Sequence, residues 1–325
     1  MVVSLVITKK RGNKMSRKLY TGEKLHEFLN NAVDGRYEIH DNKIFVQGGV
    51  CLENMNLEYI PCNFYFVTRY FDCSSNKLKS LEGVPKYIGG NFSCKRNQLI
   101  NLEHSPEICD SYNCSYNDLE TLKGIHSEFV KNLNCSYNRL RNLKYAPKFI
   151  DGVFNCRNNL LTSLEYAPGI VTYEFDCSCN QLTSLEYLPK ILYHLNCSDN
   201  KITELNYLPE TMGSLNCSDN LLTTLKGCPK CLLGFLDCRN NKLTDLVGSP
   251  IQVTHNLICS DNQLTTLEGA PAFTGNLTCR GNKLTNLKGL PAYIYGYLDC
   301  RDNEITDLTN NSTIKGKLYY KNNKI

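Results

Sequence analysis

The 325-residue sequence has no tryptophan and only four methionines. No stretch approaches the 18 or so apolar residues of a membrane-spanning helix, so no membrane partner is expected. Its start, "MVVSLVI" followed by "TKKRGNKMSRK", has the order of a secretory signal reversed, because such signals place their charges ahead of a longer apolar core. A cytoplasmic chain is predicted. Charge of one sign is also scarce: the net value is +4, which gives no reason to expect a nucleic-acid or anionic-membrane partner. There is no Ser-His-Asp constellation, H-E-x-x-H or phosphate loop. The six histidines, His26, His40, His104, His126, His194 and His255, share no place in any pattern. Catalysis, metal and cofactor therefore find no support in the residues.

What is plentiful is cysteine, eighteen residues, and tyrosine, twenty. Twelve cysteines recur every 20 or 21 residues: Cys73, Cys94, Cys114, Cys135, Cys156, Cys177, Cys197, Cys217, Cys238, Cys259, Cys279 and Cys300. Such regularity marks an interior position, since free cysteine behaves as a small buried hydrophobe. With the cysteine as position 0, an aliphatic or aromatic stands at −2, from Phe71 to Leu298. Apolar, variable, cysteine is strand alternation with both outer members on one face. Asparagine stands at +3 in all twelve copies, Leu or Ile at +5, Leu at +8 and Pro at +12 in ten copies. The period leaves room for a short strand, a turn and an extended return. One unit cannot bury its own apolar side, so the units must stack around a shared core. Parallel stacking at about 4.8 Å per unit predicts an arc roughly 55–60 Å long. The +3 amide both donates and accepts, so a column of asparagines is expected to satisfy backbone groups that the strands leave unpaired.

The pattern L-x-C-x-x-N-x-L-x-x-L-x-x-x-P resembles the leucine-rich repeat in its short form, with cysteine in place of an aliphatic. The variant "F-x-C-S-x-N-x-L-T-S-L-E-G-A-P" further resembles repeat proteins of giant amoeba viruses and large phages. The resemblance covers residues 71–325 and implies an α/β-type solenoid. Its parallel sheet would line the concave face and its convex side would be mostly extended or turn. It implies a protein partner in the cytoplasm, the host's if the source is viral, but fold alone does not name one.

Ahead of the twelve repeats, residues 18–60 read as a small α+β cap. "TGEKLHEFLNNAVDG" (residues 21–35) suggests a helix with Leu25, Phe28, Leu29 and Val33 on one face, and "RYEIHDNKIFVQ" a hairpin turning at Asp41-Asn42. A degenerate first repeat continues to residue 70, with Leu57 and Pro61 at the +8 and +12 spacing. Residues 1–17 are expected to be disordered, and Met15 is an alternative start. At the other end Leu318, Tyr320, Asn323 and Ile325 begin a partial repeat, whose edge leaves self-association open.

Two cysteine features invite chemistry. "GCPKCL" places Cys228 and Cys231 at C-x-x-C spacing, but without a second ligand pair core packing is the better reading. Cys179, at +2, is expected to be an exposed and incidental thiol. In-register neighbours along the ladder point the same way, which suits disulfides poorly. The "NCS" sequons at Asn113, Asn134, Asn196 and Asn216 are by-products of the strand pattern.

Positions −3, −1, +1 and +2 flank the inward residues and are expected on the concave face. Together they carry nine acids and six bases, a polar surface of mixed sign that argues against a nucleic-acid groove. Tyr70, Tyr116, Tyr137, Phe235 and Tyr297 are the candidate anchors. Arg157, Asp176, Asp199, Asp219, Arg239, Arg280 and Arg301 are the candidate charged contacts. The alternative is a merely solvated sheet face. Position +10, glycine in six copies, is tyrosine in four consecutive ones: Tyr145, Tyr166, Tyr187 and Tyr207. These are expected to stack as an aromatic ladder along one edge, either shielding the return or docking a partner.

Overall fold

The computed structural model describes residues 17–325; the basic segment ahead of them, expected to be disordered, lies outside the described residues. Arg17, grouped with that segment above, is docked on the first coil. Its guanidinium donates to the Cys62 carbonyl at 2.8 Å and lies 3.6 Å from Glu82.

Each repeat forms one coil of a stack whose inward letters are the repeated ones. All twelve ladder cysteines are buried, as are the twelve residues at −2 and at +5. The +8 leucines follow, except Leu308, which is only partly buried. Three-residue strands such as Asn132–Asn134 and Val153–Asn155 pair in parallel and in register, with Leu133 beside Phe154 and Asn134 beside Asn155. Each strand ends because the +2 residue adopts left-handed φ, between 51° and 68° in every one of the twelve coils. That turn drives the chain inward and aims the +3 asparagine at the backbone.

The asparagine column saturates what the turn leaves open. The Asn138 amide donates to the carbonyls of its own Cys135 (3.0 Å) and of Cys114 one coil back (3.1 Å), and its oxygen accepts the Leu119 N–H at 2.9 Å. The same bonding recurs at Asn241 and Asn303. A hydroxyl or carboxylate cannot donate and accept from this reach, so the amide is required. The thiols add a weaker rung: Cys73, Cys114, Cys197, Cys217 and Cys238 each donate to a carbonyl of the next coil at 3.4 Å. All eighteen cysteines are free thiols.

The return side is more ordered than the sequence suggested. It carries its own short parallel strands, including Phe129–Val130, Phe149–Ile150 and Ile170–Val171. In two coils, Gln252–Ile258 and Phe273–Thr278, one strand runs through both rows across an irregularity in register.

At the N-terminal end a helix, α1 (Gly22–Ala32), buries Leu29 and Ala32. The chain then passes directly into β1 (Val33–His40) and β2 (Lys43–Cys51), an antiparallel hairpin turning at Asp41-Asn42 with φ of 48° and 58°. Val33 thus opens the strand instead of closing the helix; its β-branched side chain favours the extended form. β2 pairs in parallel with the first strands of the stack, Phe64–Val67 and Phe71–Asp72.

The degenerate first coil is shifted by three residues from the expected register. Leu57 donates its N–H to the Asn76 oxygen, as Leu78 does to Asn97, which puts it at +5 and not at +8. Leu52 takes the cysteine's place, its carbonyl accepting from the Asn76 amide. Leu57 and Pro61 mimic a +8/+12 spacing by coincidence, whereas the backbone bonds settle the register.

Candidate binding face

Position −1 is Asn or Asp in nine coils, and in all nine its Oδ1 accepts the backbone N–H of the +1 residue; Asp72, Asn134 and Asp237 are examples. Where +1 is serine, the hydroxyl often donates to the same oxygen, as Ser136 does to Asn134 at 2.7 Å. These two columns, expected to face a partner, are spent largely on closing the strand. Asp176 shows it best: only 8% exposed, it takes both the N–H and the hydroxyl of Ser178, so it is not a free surface carboxylate.

The columns that display side chains are −3 and +2. Tyr116 and Tyr137 are 45% and 38% exposed, Phe235 38% and Tyr297 39%. The Tyr116 and Tyr137 rings stack at 4.2 Å with planes 7° apart. Tyr297 meets Tyr319 edge-on at 5.9 Å. Tyr70 is half-buried over Gly49, where a Cβ would come within 2.2 Å of its ring.

Three of the four candidate arginines are already partnered. Arg239 pairs with Asp237 at 2.9 Å, Arg280 with Asp302 at 2.6 Å, and Arg301 grips Asp299 through Nε and a terminal nitrogen. Burial pushes the Asp237 carboxyl above its ordinary range despite Arg239. At Asp299 burial pulls the same way, but the hydrogen bonds from Arg301 outweigh it and hold the carboxyl below that range. Asp219 accepts the Asn240 amide at 2.6 Å, and Asp199 sits beside Cys179. Among the described residues Arg157 has no ion-pair partner.

The sign of charge is also divided. Over the four columns, residues 70–158 hold one acid, Asp72, and three bases, Lys95, Arg96 and Arg157; residues 174–302 hold eight acids and three bases. A single count over the face hides this division.

One cluster escaped the sequence reading. Tyr173 and Tyr193, at −4, flank His194 at 5.2 and 4.5 Å, and with Phe235 and His255 they line two adjoining shallow depressions of about 280 and 370 Å³. The available signal was the −4 column itself, glycine in six of the twelve coils. A wider depression of about 840 Å³ lies open on the hairpin, lined by Arg36, Glu38, His40 and Gln47 among others.

The +10 tyrosines do not form the expected ladder. Each has left-handed φ, from 68° to 77°, and is 46–58% exposed. Ring pairs do form elsewhere, such as Phe129 with Phe149 at 5.2 Å, but none joins two of these four.

Burial suppresses the ionisation, and with it the nucleophilicity, of the ladder thiols. Burial pushes the Cys114 and Cys197 thiols up to about 12, and Cys228 likewise. Cys228 packs against the core while Cys231 lies on a return strand. Among the described residues no three His, Cys, Asp or Glu side chains converge as metal ligands. Among the described residues no helix is long and apolar enough to cross a membrane.

Stacked coils of this period with an asparagine column define a leucine-rich-repeat solenoid, and solved structures agree. YopM from Yersinia enterocolitica WA-314 superposes with a TM-score of 0.65 at 25% identity, over 85% of this chain and 64% of that one. YopM from Yersinia pestis, described as a leucine-rich effector protein, gives 0.53 at 22% over 84% and 88%. The APL1 leucine-rich repeat domain gives 0.55 at 17%, over 83% of each. The chain thus spans just under two thirds of the first of these proteins. No protein-family model and no curated protein matches the sequence.

Proposed function

We propose that the chain is a non-catalytic scaffold that binds a protein through its concave face. The observation that carries this reading is the set of aromatic side chains standing exposed on a sheet whose backbone is otherwise saturated: Tyr116, Tyr137, Phe235 and Tyr297. Exposed aromatics held on a rigid surface are the usual anchors of protein interfaces. The candidate contacts are these residues with Tyr70, Arg157, Asp199 and Asp219. Arg239, Arg280 and Arg301 contribute through the carboxylates they already hold, and Asp176 supports the strand end.

Photo-crosslinking from single positions tests the reading. A benzophenone side chain at Ser111, Asn132 or Asn256, all at −3, should capture a partner in the native cell, and one at exposed Glu120 or Lys242, outside the four columns, should not. Crosslinks confined to positions outside those columns would refute it. Self-assembly is the second reading, in which the strand Leu318–Tyr319, paired among the described residues with Leu298–Asp299 alone, would meet another copy. Light scattering then shows a concentration-dependent mass series where the scaffold stays monomeric.

A further inference from the structure

The second to fifth coils carry a cluster that the general reading does not explain. At +2 stand Arg96, Tyr116 and Tyr137, with φ of 54°, 55° and 54°. This backbone region suits Gly, Asn and Asp and disfavours bulky side chains. From the seventh coil on, the column contains only such tolerant types: Asp199, Asp219, Asn240, Asp261, Gly281, Asp302. The earlier coils depart from it with Ser75, Arg96, Tyr116, Tyr137 and Cys179. Burial does not compensate for the strain, since both tyrosines are more than a third exposed.

The cluster is also organised. The two rings stack at 4.2 Å, and the Arg96 guanidinium lies 5.5 Å from the Tyr116 centroid. On the far side the Tyr137 N–H donates to the Arg157 carbonyl at 2.9 Å, so Arg157 belongs to the adjoining coil. Neither guanidinium has an ion-pair partner among the described residues, whereas Arg239, Arg280 and Arg301 all do. An unpaired guanidinium presents a fork that matches a carboxylate.

We propose that Arg96, Tyr116, Tyr137 and Arg157 form a docking platform for an acidic segment of a protein partner, its carboxylates gripped by the two guanidiniums and its chain lying across the stacked rings. This rests on the concave-face reading and narrows it. Three coil spacings amount to about 14 Å, which some four or five extended residues cover. A nucleic acid fits less well. Further on, the face turns acidic with Glu174, Asp199 and Asp219, and a polyanion running along the groove would be repelled there.

The test uses the full chain and fluorescence anisotropy with a labelled Asp/Glu/Gly peptide. A Lys/Gly peptide and a short single-stranded DNA serve as competitors. Saturable binding of the acidic peptide, weakened by salt, is expected. Arg96→Gln with Arg157→Gln should weaken it by about tenfold or more, and Lys148→Gln with Lys230→Gln, outside the four columns and paired with Glu128 and Glu210, should leave it unchanged. Tyr116→Asn with Tyr137→Asn should weaken binding and raise the Tm, because asparagine tolerates this backbone; that result also excludes misfolding as the cause. Tighter binding of the DNA, equal binding of the basic peptide, or Tyr variants that lower the Tm and leave binding intact would each overturn the proposal. The two readings fail separately. Partner crosslinks mapping to coils six to twelve, insensitive to Arg96 and Arg157, would remove the platform and keep the scaffold; crosslinks only outside the four columns would remove both.

Discussion

Coils one to five and coils six to twelve share one interior and differ in what they display. Inside, Asn138 and Asn241 make the same three kinds of bond. Outside, the first group presents stacked tyrosines and unpaired arginines on a strained +2 turn. The second presents carboxylates on an unstrained one, with its arginines tied to Asp237, Asp299 and Asp302. The lesson is that stability and display are carried by different columns of the repeat. A change in a display column leaves the packed interior and the amide column in place, so a long solenoid can vary its face coil by coil without altering its core.

The comparison can be broken at the interior first. Asn138→Ala and Asn241→Ala each leave one buried N–H, of Leu119 and Leu222, without an acceptor. Each also takes one of two amide donors from the cysteine carbonyls, which keep the amide of the adjoining coil. A buried polar group left unpaired costs about 1–3 kcal/mol. Both variants should lose about 2–3 kcal/mol in urea unfolding, equally in the two regions. Unequal losses would show that the interiors are not the same.

The +10 column gives the next effect. Tyr145→Gly, Tyr166→Gly, Tyr187→Gly and Tyr207→Gly together relieve left-handed strain of about 1–2 kcal/mol per residue. Glycine's freedom in the unfolded chain returns about 0.5–1 kcal/mol of that at each site. A net gain of about 2 kcal/mol, with a higher Tm by calorimetry, is expected; a lower Tm would mean that the rings pack.

Moving one region's display into the other sharpens the contrast further. Asp219→Tyr puts an aromatic into the left-handed turn of a relaxed coil and should cost about 1 kcal/mol in thermal unfolding. The smallest effect compares Asp237 with Asp299, which share a column and an arginine at +1. The Asp299 carboxyl is held low, so it contributes stability above the unfolded carboxylate value near 3.9 and loses that contribution as pH falls through its folded value. Asp299→Asn should therefore destabilise at neutral pH, by about 1 kcal/mol, and be silent in acid. The Asp237 carboxyl is held high, so its contribution is complete below the unfolded value and is lost as pH rises through the folded one. Asp237→Asn should be neutral or stabilising at pH 7. Melting curves at pH 3 and pH 7 read both, and equal signs would contradict the assignment.

The interior was legible because each of its letters acts at a fixed offset within its own coil or one coil away. Cysteine at 0, apolar at −2 and asparagine at +3 all stand where the spacing placed them. The first coil was misregistered because Leu57 and Pro61 happened to fit the spacing, while the diagnostic bond to Asn76 joins residues nineteen positions apart. Among the candidate contacts, the exposure of Tyr116 and Tyr137 could be expected from alternation. The withdrawal of Asp176 into its own turn could not, because strand alternation says which way a residue faces and nothing of what its oxygen accepts. The cluster around His194 was missed for a similar reason: its rings come from −4 and −3 of successive coils, and only stacking brings them together.

From the sequence alone came the solenoid, its dry core and the amide column, since a twenty-residue period with buried letters has few ways to exclude water. Only the tertiary structure decided which arginines are free and which are spent, and which tyrosines stack and which do not. Those outcomes depend on neighbours about twenty residues away, which a column of letters does not contain.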